Sequence, residues 1–442
     1  MASSDASSQP PAASQWSWLR QPAVRQGLTA FAVVHLLCLI WLWPTIARGD
    51  ALGDLEIYRS WAVNAFSGDA VPGLRQDWVY PLLAWLPIGI ANLFGPDAYQ
   101  AVWFGLVTVL NLLATLVVLG SLRDERRPYA AFVWLGSILL LAPVSMLRIE
   151  GFAAPLVVVA LMWISRFPFV AGIMLAVATW IKVWPAAVIA AVIAARQGGG
   201  RILPAGILVT AAVTVVASLT GGLNHLMSFL TIQVGRALQI ESPLATLPMW
   251  LDRLNESGYY TYYNRVLHTP EMGGAVPSYI ATVSTYVLVA IVLAIAVLIV
   301  VQGQRDIDGT QLMLTGALSL VSTLVVFNKV GEPQFVLWLL PVVVVGLVSR
   351  DAWWHRVAWL LLAACALTTA VFPLMHGELE QHHIFPLLVL TLRNALLAVI
   401  FVLAIARLVR FRTVSPPADA AETEVEPATN GAASATETAQ SA

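Results

Sequence analysis

Charged residues are scarce in this sequence. Asp, Glu, Lys and Arg make up 11% of its 442 residues, whereas soluble domains carry roughly 25%. Hydrophobic residues reach 59%, and many apolar runs approach the length of about 20 residues that a bilayer requires. This composition excludes an ordinary soluble protein and predicts an all-α fold, a polytopic transmembrane helical bundle. The formal net charge of -1 offers no general attraction to nucleic acid.

Cysteine is nearly absent as well. The two cysteines, Cys38 and Cys365, both lie inside apolar runs, which indicates small core residues rather than a disulfide framework. Polar, small residues dominate 1–26 and 413–442, so we expect disordered cytoplasmic tails at both ends of a transmembrane domain over 27–412. No clear small-residue cleavage site follows the first apolar run, which we interpret as an uncleaved first helix.

About twelve apolar runs are candidate membrane spans, joined by one shorter helix. The candidates are 28–46, 98–122, 128–146, 151–165, 167–181, 183–196, 202–220, 279–302, 310–327, 333–348, 355–374 and 385–406. The shorter stretch, 80–95, is flanked by proline and could span the membrane, lie in the interface or re-enter.

The positive-inside rule favours one orientation of these spans. With 80–95 as a non-spanning helix and both termini in the cytoplasm, the basic loops 123–127, 195–201 and 302–308 all fall inside. The two long loops, 47–97 and 221–278, then lie on the external face of the plasma membrane. Long loops on one face are a common location for functional residues.

Under this topology, a set of polar residues falls at the external membrane edge, where ionisable groups are functional candidates. Cations next to carboxylates there suit a substrate with a phosphate at the level of the lipid headgroups. We assign donor-phosphate binding to Lys182, Arg148, Arg236 and Lys329, and substrate binding to Tyr58, Tyr80, Glu150, Gln239, Glu241, Asn328 and Gln334.

Asp54 and Glu56, in the stretch GDLEIYRSW, are the catalytic candidates. A carboxylate just above the membrane can act as general base on an acceptor hydroxyl while a lipid-linked phosphate leaves. Side chains two residues apart diverge on a helix, so at most one of the two should point at the reaction centre.

Structural roles compete with these functional ones. Arg148 and Glu150 could form a tight polar turn, and Lys182 could reach the interface along its aliphatic stem. Arg236 and Glu241 could pair with each other in a solvated loop.

The same holds for three further positions. Lys329 and Glu332 could cap a helix that starts at Pro333. The stretch HGELEQHH at 376–383 could bind metal, but a solvated loop fits it better. Arg393 lies in the middle of a predicted helix, so it should face the bundle interior and meet an acidic or phosphate partner.

An ordered set of motifs carries a family resemblance. GDLEIYRSWA, DWVYPLLAWLP, LRIEGFAAP, TWIKVWPAAV, GRALQIESPLATLP and NKVGEPQFVLWLLP follow one another between 28 and 412. Their order and spacing resemble the GT-C type membrane glycosyltransferases, and most closely glycosyltransferase family 87, the polyprenol-phosphate-mannose-dependent mannosyltransferases of actinobacteria. Two motifs depart from the family pattern, at Tyr80-Pro81-Leu82 and at Arg148-Ile149-Glu150, and these departures bear on the acceptor more than on the fold.

The resemblance implies a GT-C fold with an external active site. It implies transfer of a hexose, with mannose as the expected sugar, from a polyprenyl-phosphate sugar to a glycolipid or glycan hydroxyl, with inversion and with Asp54 as base. No cofactor is expected; a divalent metal near Asp54 and Glu56 is an alternative that we do not favour.

Two other classes of function use the same residues. A lipid-linked sugar transporter or flippase would use the polar edge as a substrate gate. A non-catalytic scaffold of the cell envelope would have no need of cations so close to apolar runs. Clustering of the charges at one face and the absence of an evident inverted repeat favour the enzyme.

Overall fold

The computed structural model describes residues 21–120, 127–265, 267, 269–349 and 351–411, which form a bundle of α-helices with a small sheet at one end. The α-helices, in chain order, are α1 (Pro22–Ala47), α2 (Asp54–Phe66), α3 (Trp85–Ala91), α4 (Tyr99–Leu119), α5 (Arg127–Leu140), α6 (Ala142–Leu147), α7 (Glu150–Trp163), α8 (Pro168–Ile181), α9 (Pro185–Ala194), α10 (Ile202–Leu219), α11 (Ser228–Val234), α12 (Thr246–Arg253), α13 (Ala275–Gln302), α14 (Gly309–Val326), α15 (Leu340–Val348), α16 (Trp353–Thr369), α17 (His376–Glu380) and α18 (Ile384–Val409).

Short 3-10 helices and one π-helical turn complete the helical part of the described chain. The 3-10 helices are Leu82–Ala84, Pro96–Ala98, Gln197–Gly200, Leu223–His225, Pro243–Ala245 and Pro333–Trp338, and the π turn is Ala370–Leu374. The 3-10 helix at Pro333 leads into α15, so the two together cover the predicted run 333–348.

Every predicted apolar run contains a helix. Within the described residues, 7 helices are long and apolar enough to cross a membrane, namely α1, α4 with its preceding 3-10 turn, α10, α13, α14, α16 with its π turn, and α18. The other runs form shorter apolar helices, including α5, α7, α8 and α9. The chain is thus an all-α polytopic membrane protein, but the count of twelve spans is not confirmed.

Prolines explain where several of these helices begin. Pro168 and Pro185 occupy the first positions of α8 and α9, where the missing N–H costs no intrahelical hydrogen bond. The backbone at Lys182 is extended, so the predicted break between 167–181 and 183–196 is confirmed. Lys182 therefore lies at a helix end and not inside a span.

The stretch 48–98 contains no helix of spanning length. Its apolar part, Leu82–Ala91, measures about 15 Å along the helix axis, half the thickness of a hydrocarbon core of about 30 Å. Gly49, before this short helix, lies against Asp97, after it, since a Cβ on Gly49 would be 3.1 Å from the Asp97 carbonyl oxygen. Residues on both sides of the short helix therefore lie at the same end of the bundle, as the non-spanning alternative requires.

The loops separate into two groups at opposite ends of the bundle. At one end, Gln302 donates hydrogen bonds to the carbonyls of Leu408 and Val409, and Arg407 pairs with Asp351. These belong to the loops that the positive-inside rule places in the cytoplasm. The loops predicted to be external meet at the other end. Which end faces the cytoplasm stays a prediction.

Some sequence-based expectations lie at the edges of the described chain. The segments 1–20, 121–126 and 412–442, with the predicted tails and most of the basic loop at 123–127, lie outside the described residues. The first helix begins at Pro22, so 22–26 are helical although the predicted N-terminal tail included them. Near the centre of the bundle, α14 is enclosed by its neighbours, and 83% of the residues in its most apolar stretch are buried.

A three-stranded antiparallel sheet interrupts the helical pattern in the loop 221–278. Its strands are β1 (Leu238–Gln239), β2 (Tyr260–Asn264) and β3 (Thr269–Gly273), in the spatial order β1-β3-β2. In register, Gln239 pairs with Glu271, and Glu271 pairs with Tyr262. The sequence analysis predicted no strand here.

Candidate active site

The polar residues singled out by sequence lie at helix junctions at one end of the bundle. Asp54 is the first residue of α2 and Glu150 the first of α7, whereas Arg148 lies between α6 and α7 and Lys182 between α8 and α9. Arg236 and Glu241 flank β1, and 328–334 joins α14 to the 3-10 helix before α15. Chain segments that are far apart in sequence thus converge on one site.

Asp54 is held against Arg148. Gly53 precedes it with φ of +63°, a conformation that favours glycine, and an added Cβ would lie 3.6 Å from Nη2 of Arg148. The Asp54 carboxylate pairs with the Arg148 guanidinium, which is buried and lies 5.3 Å from the ring centroid of Phe372. The ion pair fixes the position of the Asp54 carboxylate, a group that can accept a proton from a hydroxyl.

A chain of contacts leads from Asp54 to a buried ion pair. The Tyr58 hydroxyl lies 3.5 Å from Oδ2 of Asp54 and 2.9 Å from the Tyr80 hydroxyl. The Lys182 ammonium lies 4.6 Å from the centroid of the Tyr80 ring. The same Nζ lies 3.1 Å from Oε1 of Glu150. Glu150 is fully buried. All five predicted residues on this path therefore belong to one network.

Glu56 is not part of that network. Its carboxylate accepts a 2.7 Å hydrogen bond from Arg59, and its side chain is 58% exposed. The expected divergence of the two acids on α2 is confirmed, and Asp54 is the one that faces the buried cations. Glu56 lines a shallow groove beside Asp54.

Two loops interlock around the predicted amides. Gly331 N–H donates to the Gln239 side chain at 3.0 Å, and Gln239 N–H donates to the Lys329 carbonyl at 3.0 Å. The Ser242 hydroxyl donates to the Asn328 carbonyl at 2.6 Å, and Gly331 lies so close to the Ser242 backbone that a Cβ would collide with it. These contacts fix 239–242 against 328–331.

The pairing of Arg236 differs from the sequence-based alternative. Arg236 does not pair with Glu241; its Nη1 lies 3.6 Å from Oε1 of Glu332. The other carboxylate oxygen of Glu332 accepts a hydrogen bond from the Gln334 side chain. Burial alone would raise the pKa of Glu332, but Lys182, Arg236 and Arg148 outweigh it and lower the pKa. Glu332 does occupy the cap position before Pro333, as considered from sequence, but its side chain makes no capping hydrogen bond. Its carboxylate is instead an anion among cations.

Glu241 instead meets Arg393, which confirms the acidic partner expected for that arginine. Arg393 Nη2 lies 3.3 Å from Oε2 of Glu241 and donates to its carbonyl at 3.0 Å. His376 Nδ1 lies 3.7 Å from the same carboxylate. Burial raises the pKa of Glu241, although Arg393 and His376 act in the opposite direction.

His376 was therefore wrongly interpreted from sequence as part of a solvated loop. It lines the site beside Glu241, and His382 Nε2 lies 2.7 Å from the Thr261 hydroxyl. Neither contact was detectable from sequence, because the partners lie more than a hundred residues away. Among the described residues, no group of three or more His, Cys, Asp or Glu side chains could hold a metal ion.

Two adjoining cavities give the site its shape. A polar cavity of about 100 Å³ is lined by Asp54, Arg148, Gln239, Glu241, Glu332, Gln334, Phe372 and His376, among others. Gln239 Nε2 and Gln334 Oε1 are buried there without a hydrogen-bond partner in the described structure. Unsatisfied amide groups of this kind indicate a ligand rich in donors and acceptors.

The second cavity, about 270 Å³, is largely apolar. Its walls include Val79, Trp184, Phe229, Leu288 and Trp338, and its charged residues are the cations Lys182, Arg236 and Lys329 with the single carboxylate Glu332. Lys329 donates to the Val234 carbonyl at 2.6 Å and forms no ion pair within the described chain. An apolar cavity with excess positive charge suits a lipid with an anionic head.

Sequence reasoning missed several residues of the site. Glu332, which lines both cavities, was considered only as a cap, and Phe372, His376 and Thr269 were not assigned. Glu332 had a detectable signal, since it lies in the same GEPQF motif as Gln334. For the others, no local pattern distinguishes them from ordinary loop residues.

Comparison with known proteins adds a family to this geometry. The family model described as glycosyltransferase family 87 matches residues 78–327, more than half of the chain. The matched range includes Tyr80, Arg148, Lys182 and Gln239, whereas Asp54 precedes it. No curated protein and no solved structure matches the chain. The chain belongs to glycosyltransferase family 87, and it is a membrane glycosyltransferase.

Proposed function

We propose that this protein transfers a hexose, with mannose as the first candidate, from a polyprenyl-phosphate sugar to a hydroxyl of a glycolipid or cell-envelope glycan. Transfer takes place at the external face of the plasma membrane and inverts the anomeric centre. The observation that carries the proposal is the shared wall of the two cavities at Glu332, which brings a cationic, apolar cavity next to the polar one that contains Asp54.

The apolar cavity receives the donor lipid in this proposal. The first isoprene units lie against Trp184, Phe229 and Trp338, and the phosphate meets Lys182, Arg236 and Lys329. Lys329 is suited to this role because it has no carboxylate partner of its own in the described chain. These side chains neutralise the charge of the departing phosphate, so the proposal includes no cofactor.

The sugar extends into the polar cavity. There the free amide groups of Gln239 and Gln334 and the carboxylate of Glu241 are available to sugar hydroxyls. Asp54 takes the proton from the acceptor hydroxyl, whose oxygen forms a bond to the anomeric carbon. The bond from that carbon to the phosphate oxygen breaks on the opposite face, and polyprenyl phosphate leaves with the electron pair.

Tyr58 and Tyr80 position the two halves of the reaction. Tyr58, next to Asp54, shares a hydrogen bond with the hydroxyl of Tyr80, and the Tyr80 ring lies against the Lys182 ammonium. Arg148 holds Asp54 in the carboxylate form until the acceptor arrives. Glu150, fully buried beside Lys182, positions the ammonium and does not touch substrate.

Transfer by purified protein in nanodiscs tests this proposal. With radiolabelled polyprenyl-phosphate-mannose and a glycolipid extract, we expect label in a new glycolipid. Asp54→Asn should lower the transfer rate by about 10²-fold or more, the range expected for loss of a general base.

Asp50→Asn is the matched control, because Asp50 is an exposed carboxylate near Asp54 that pairs with Arg48. Its transfer rate should equal that of the wild type. Transfer that survives in Asp54→Asn and is lost in Glu56→Gln would reassign the base. Saturable binding of the donor with no transfer from any polyprenyl-phosphate sugar would overturn the enzyme proposal and favour a transporter.

A further inference from the structure

One face of the small sheet leads out of the polar cavity. The register places Gln239, Glu271 and Tyr262 side by side in one row across β1, β3 and β2. Gln239 lines the cavity that contains Asp54, and Tyr262 is partly exposed on the outer strand. Adjacent strands lie about 4.8 Å apart, so this row extends about 10 Å from the cavity to the sheet edge.

Aromatic side chains cover the outer part of that face. Side chains alternate along a strand, so Tyr260, Tyr262 and Asn264 share one face of β2. Tyr260 is 55% exposed and Tyr262 is 38% exposed, with their ring centroids 6.2 Å apart. The Tyr260 ring lies over Gly273, where any Cβ would collide with it. The two rings thus form a shallow, exposed platform.

The platform is held rigidly from beneath. The buried Glu271 carboxylate accepts hydrogen bonds from Tyr262 at 2.9 Å, Asn264 at 3.0 Å and Thr269 at 3.3 Å. Burial and the contact with Glu271 raise the pKa of Tyr262 to about 12, so the phenol remains a neutral donor. Thr269, which pairs with Asn264 on the same face, continues the surface into the polar cavity.

We infer that this face, defined by Tyr260, Tyr262, Asn264 and Thr269, binds the sugar chain of the acceptor. The inference rests on the proposed function, and it names the acceptor class: a glycan with sugar residues behind the reacting hydroxyl, rather than a simple lipid alcohol. Rigid tyrosines supply flat contact area at little entropic cost. The hydroxyl oxygens of Tyr262 and Thr269, whose protons are donated to Glu271, can still accept hydrogen bonds from sugar hydroxyls.

The geometry favours a glycan over a lipid headgroup as the occupant. The apolar cavity already provides the place for a lipid, and it is lined by the turn before α9 and by α11, α13 and α14. The sheet face instead connects directly to the polar cavity through Gln239 and Thr269. An acceptor that lies along the sheet would reach Asp54 through the polar cavity and leave the apolar cavity free for the donor lipid.

Glycan binding to the full-length Asp54→Asn protein in nanodiscs, without donor, tests this inference. The probes are fluorescent mono-, di- and tetrasaccharides of mannose, glucose, galactose and arabinofuranose. We expect at least one tetrasaccharide to bind more tightly than its monosaccharide. Introducing Tyr260→Ala and Tyr262→Ala into this protein should weaken binding of that tetrasaccharide by about tenfold, as expected when aromatic side chains covered by a ligand are removed. The affinity for the monosaccharide should not change.

Tyr263→Ala is the matched control, since Tyr263 is 53% exposed on the opposite face of the same strand. It should leave tetrasaccharide binding unchanged, and Tyr262→Phe, which keeps the ring, should retain most of it. No dependence of affinity on chain length, or equal losses in the Tyr263→Ala and platform variants, would overturn the inference. Because no donor is present, failure of the transfer reaction would not affect this result.

Discussion

Glu150 and Lys182 show how costly charges are tolerated at this site. Glu150 is fully buried, and its partner Lys182 Nζ lies 3.1 Å away. A carboxylate in such surroundings must be paired, because desolvation otherwise makes its charged form very unfavourable. We therefore expect the pair to stabilise the folded protein mainly because each residue compensates the buried charge of the other.

Removing the cation of this pair should destabilise the protein strongly. We expect Lys182→Met to lower the free energy of unfolding by about 3–5 kcal/mol, the cost typical of leaving one buried charge without its partner. The double variant Lys182→Met with Glu150→Gln should recover part of the loss, because it removes the orphaned charge. Apparent melting temperatures in detergent, measured by intrinsic fluorescence, would report both changes.

The exposed pair between Glu56 and Arg59 supplies the comparison. Glu56→Gln removes an ion pair of similar length at the surface, where the expected change is about 0–1 kcal/mol. Equal shifts for Glu56→Gln and Lys182→Met, or a double variant less stable than Lys182→Met alone, would contradict the assigned role of the buried pair.

The identities of single residues were easier to predict than their partners. Composition and position were enough to mark Arg148, Lys182 and Arg236 as residues at a membrane edge. Their partners depend on packing between elements far apart in the chain, so Arg236 pairs with Glu332 and not with the nearer Glu241. Sequence distance favours the wrong acid here, because the loops 235–242 and 328–334 interlock only in the folded bundle.

At the scale of elements, the helices follow from local sequence and the sheet does not. A long apolar run can satisfy its backbone in a membrane only as a helix, so each predicted run contains one. The strands are at most five residues long and lie in a polar loop, with no sustained alternation to reveal them. In addition, β1 is held by hydrogen bonds between Gln239 and 329–331, which sequence alone does not show.

The opposite end of the bundle is tied together by Asp351. This carboxylate pairs with Arg407 of α18 and accepts a 2.8 Å hydrogen bond from Trp353 N–H at the start of α16. Arg407 also donates to Gln311 of α14 at 3.0 Å. Three helices are thus connected through one arginine and one aspartate.

This connection should depend on pH in a defined direction. The hydrogen bond from Arg407 lowers the pKa of Asp351, against the raising effect of burial. Its contribution to stability is therefore present above the ordinary aspartate pKa of about 3.9 and is lost as the pH falls through the lower folded value. The melting temperatures of wild type and Asp351→Asn should differ constantly from neutral pH to about 5, and converge below about pH 4.

Asp306→Asn serves as the control for that experiment. Asp306 is an exposed aspartate in the turn between α13 and α14, at the same end of the bundle. The melting temperature of the Asp306→Asn variant should equal that of the wild type at every pH. A difference in melting temperature between wild type and Asp351→Asn that increases as the pH falls would contradict the stabilising role of the pair Asp351–Arg407.

At the scale of the whole molecule, the site exists because loops from one end of the bundle converge. Asp54, Lys182, Gln239, Glu332 and Arg393 come from five separate segments, and each is placed by the helix or strand next to it. The family match covers 78–327, so Asp54, Glu332 and Arg393 contribute from outside the matched range. The convergence of these segments places the polar cavity beside the apolar one, with Glu332 lining both.

The separation of the two ends predicts their orientation in the membrane. Because basic loops gather at the end opposite Asp54, we expect that end to face the cytoplasm. Single cysteines at Asp69, in the exposed loop after α2, and at Arg305, in the turn after α13, would test this in a background with Cys38 and Cys365 replaced by Ala. A membrane-impermeant maleimide should label Asp69→Cys in intact spheroplasts and Arg305→Cys only after permeabilisation. The reverse pattern would place Asp54 on the cytoplasmic side, where an externally facing acceptor could not reach it. Labelling of both sites in intact spheroplasts would mean that 80–95 crosses the membrane after all.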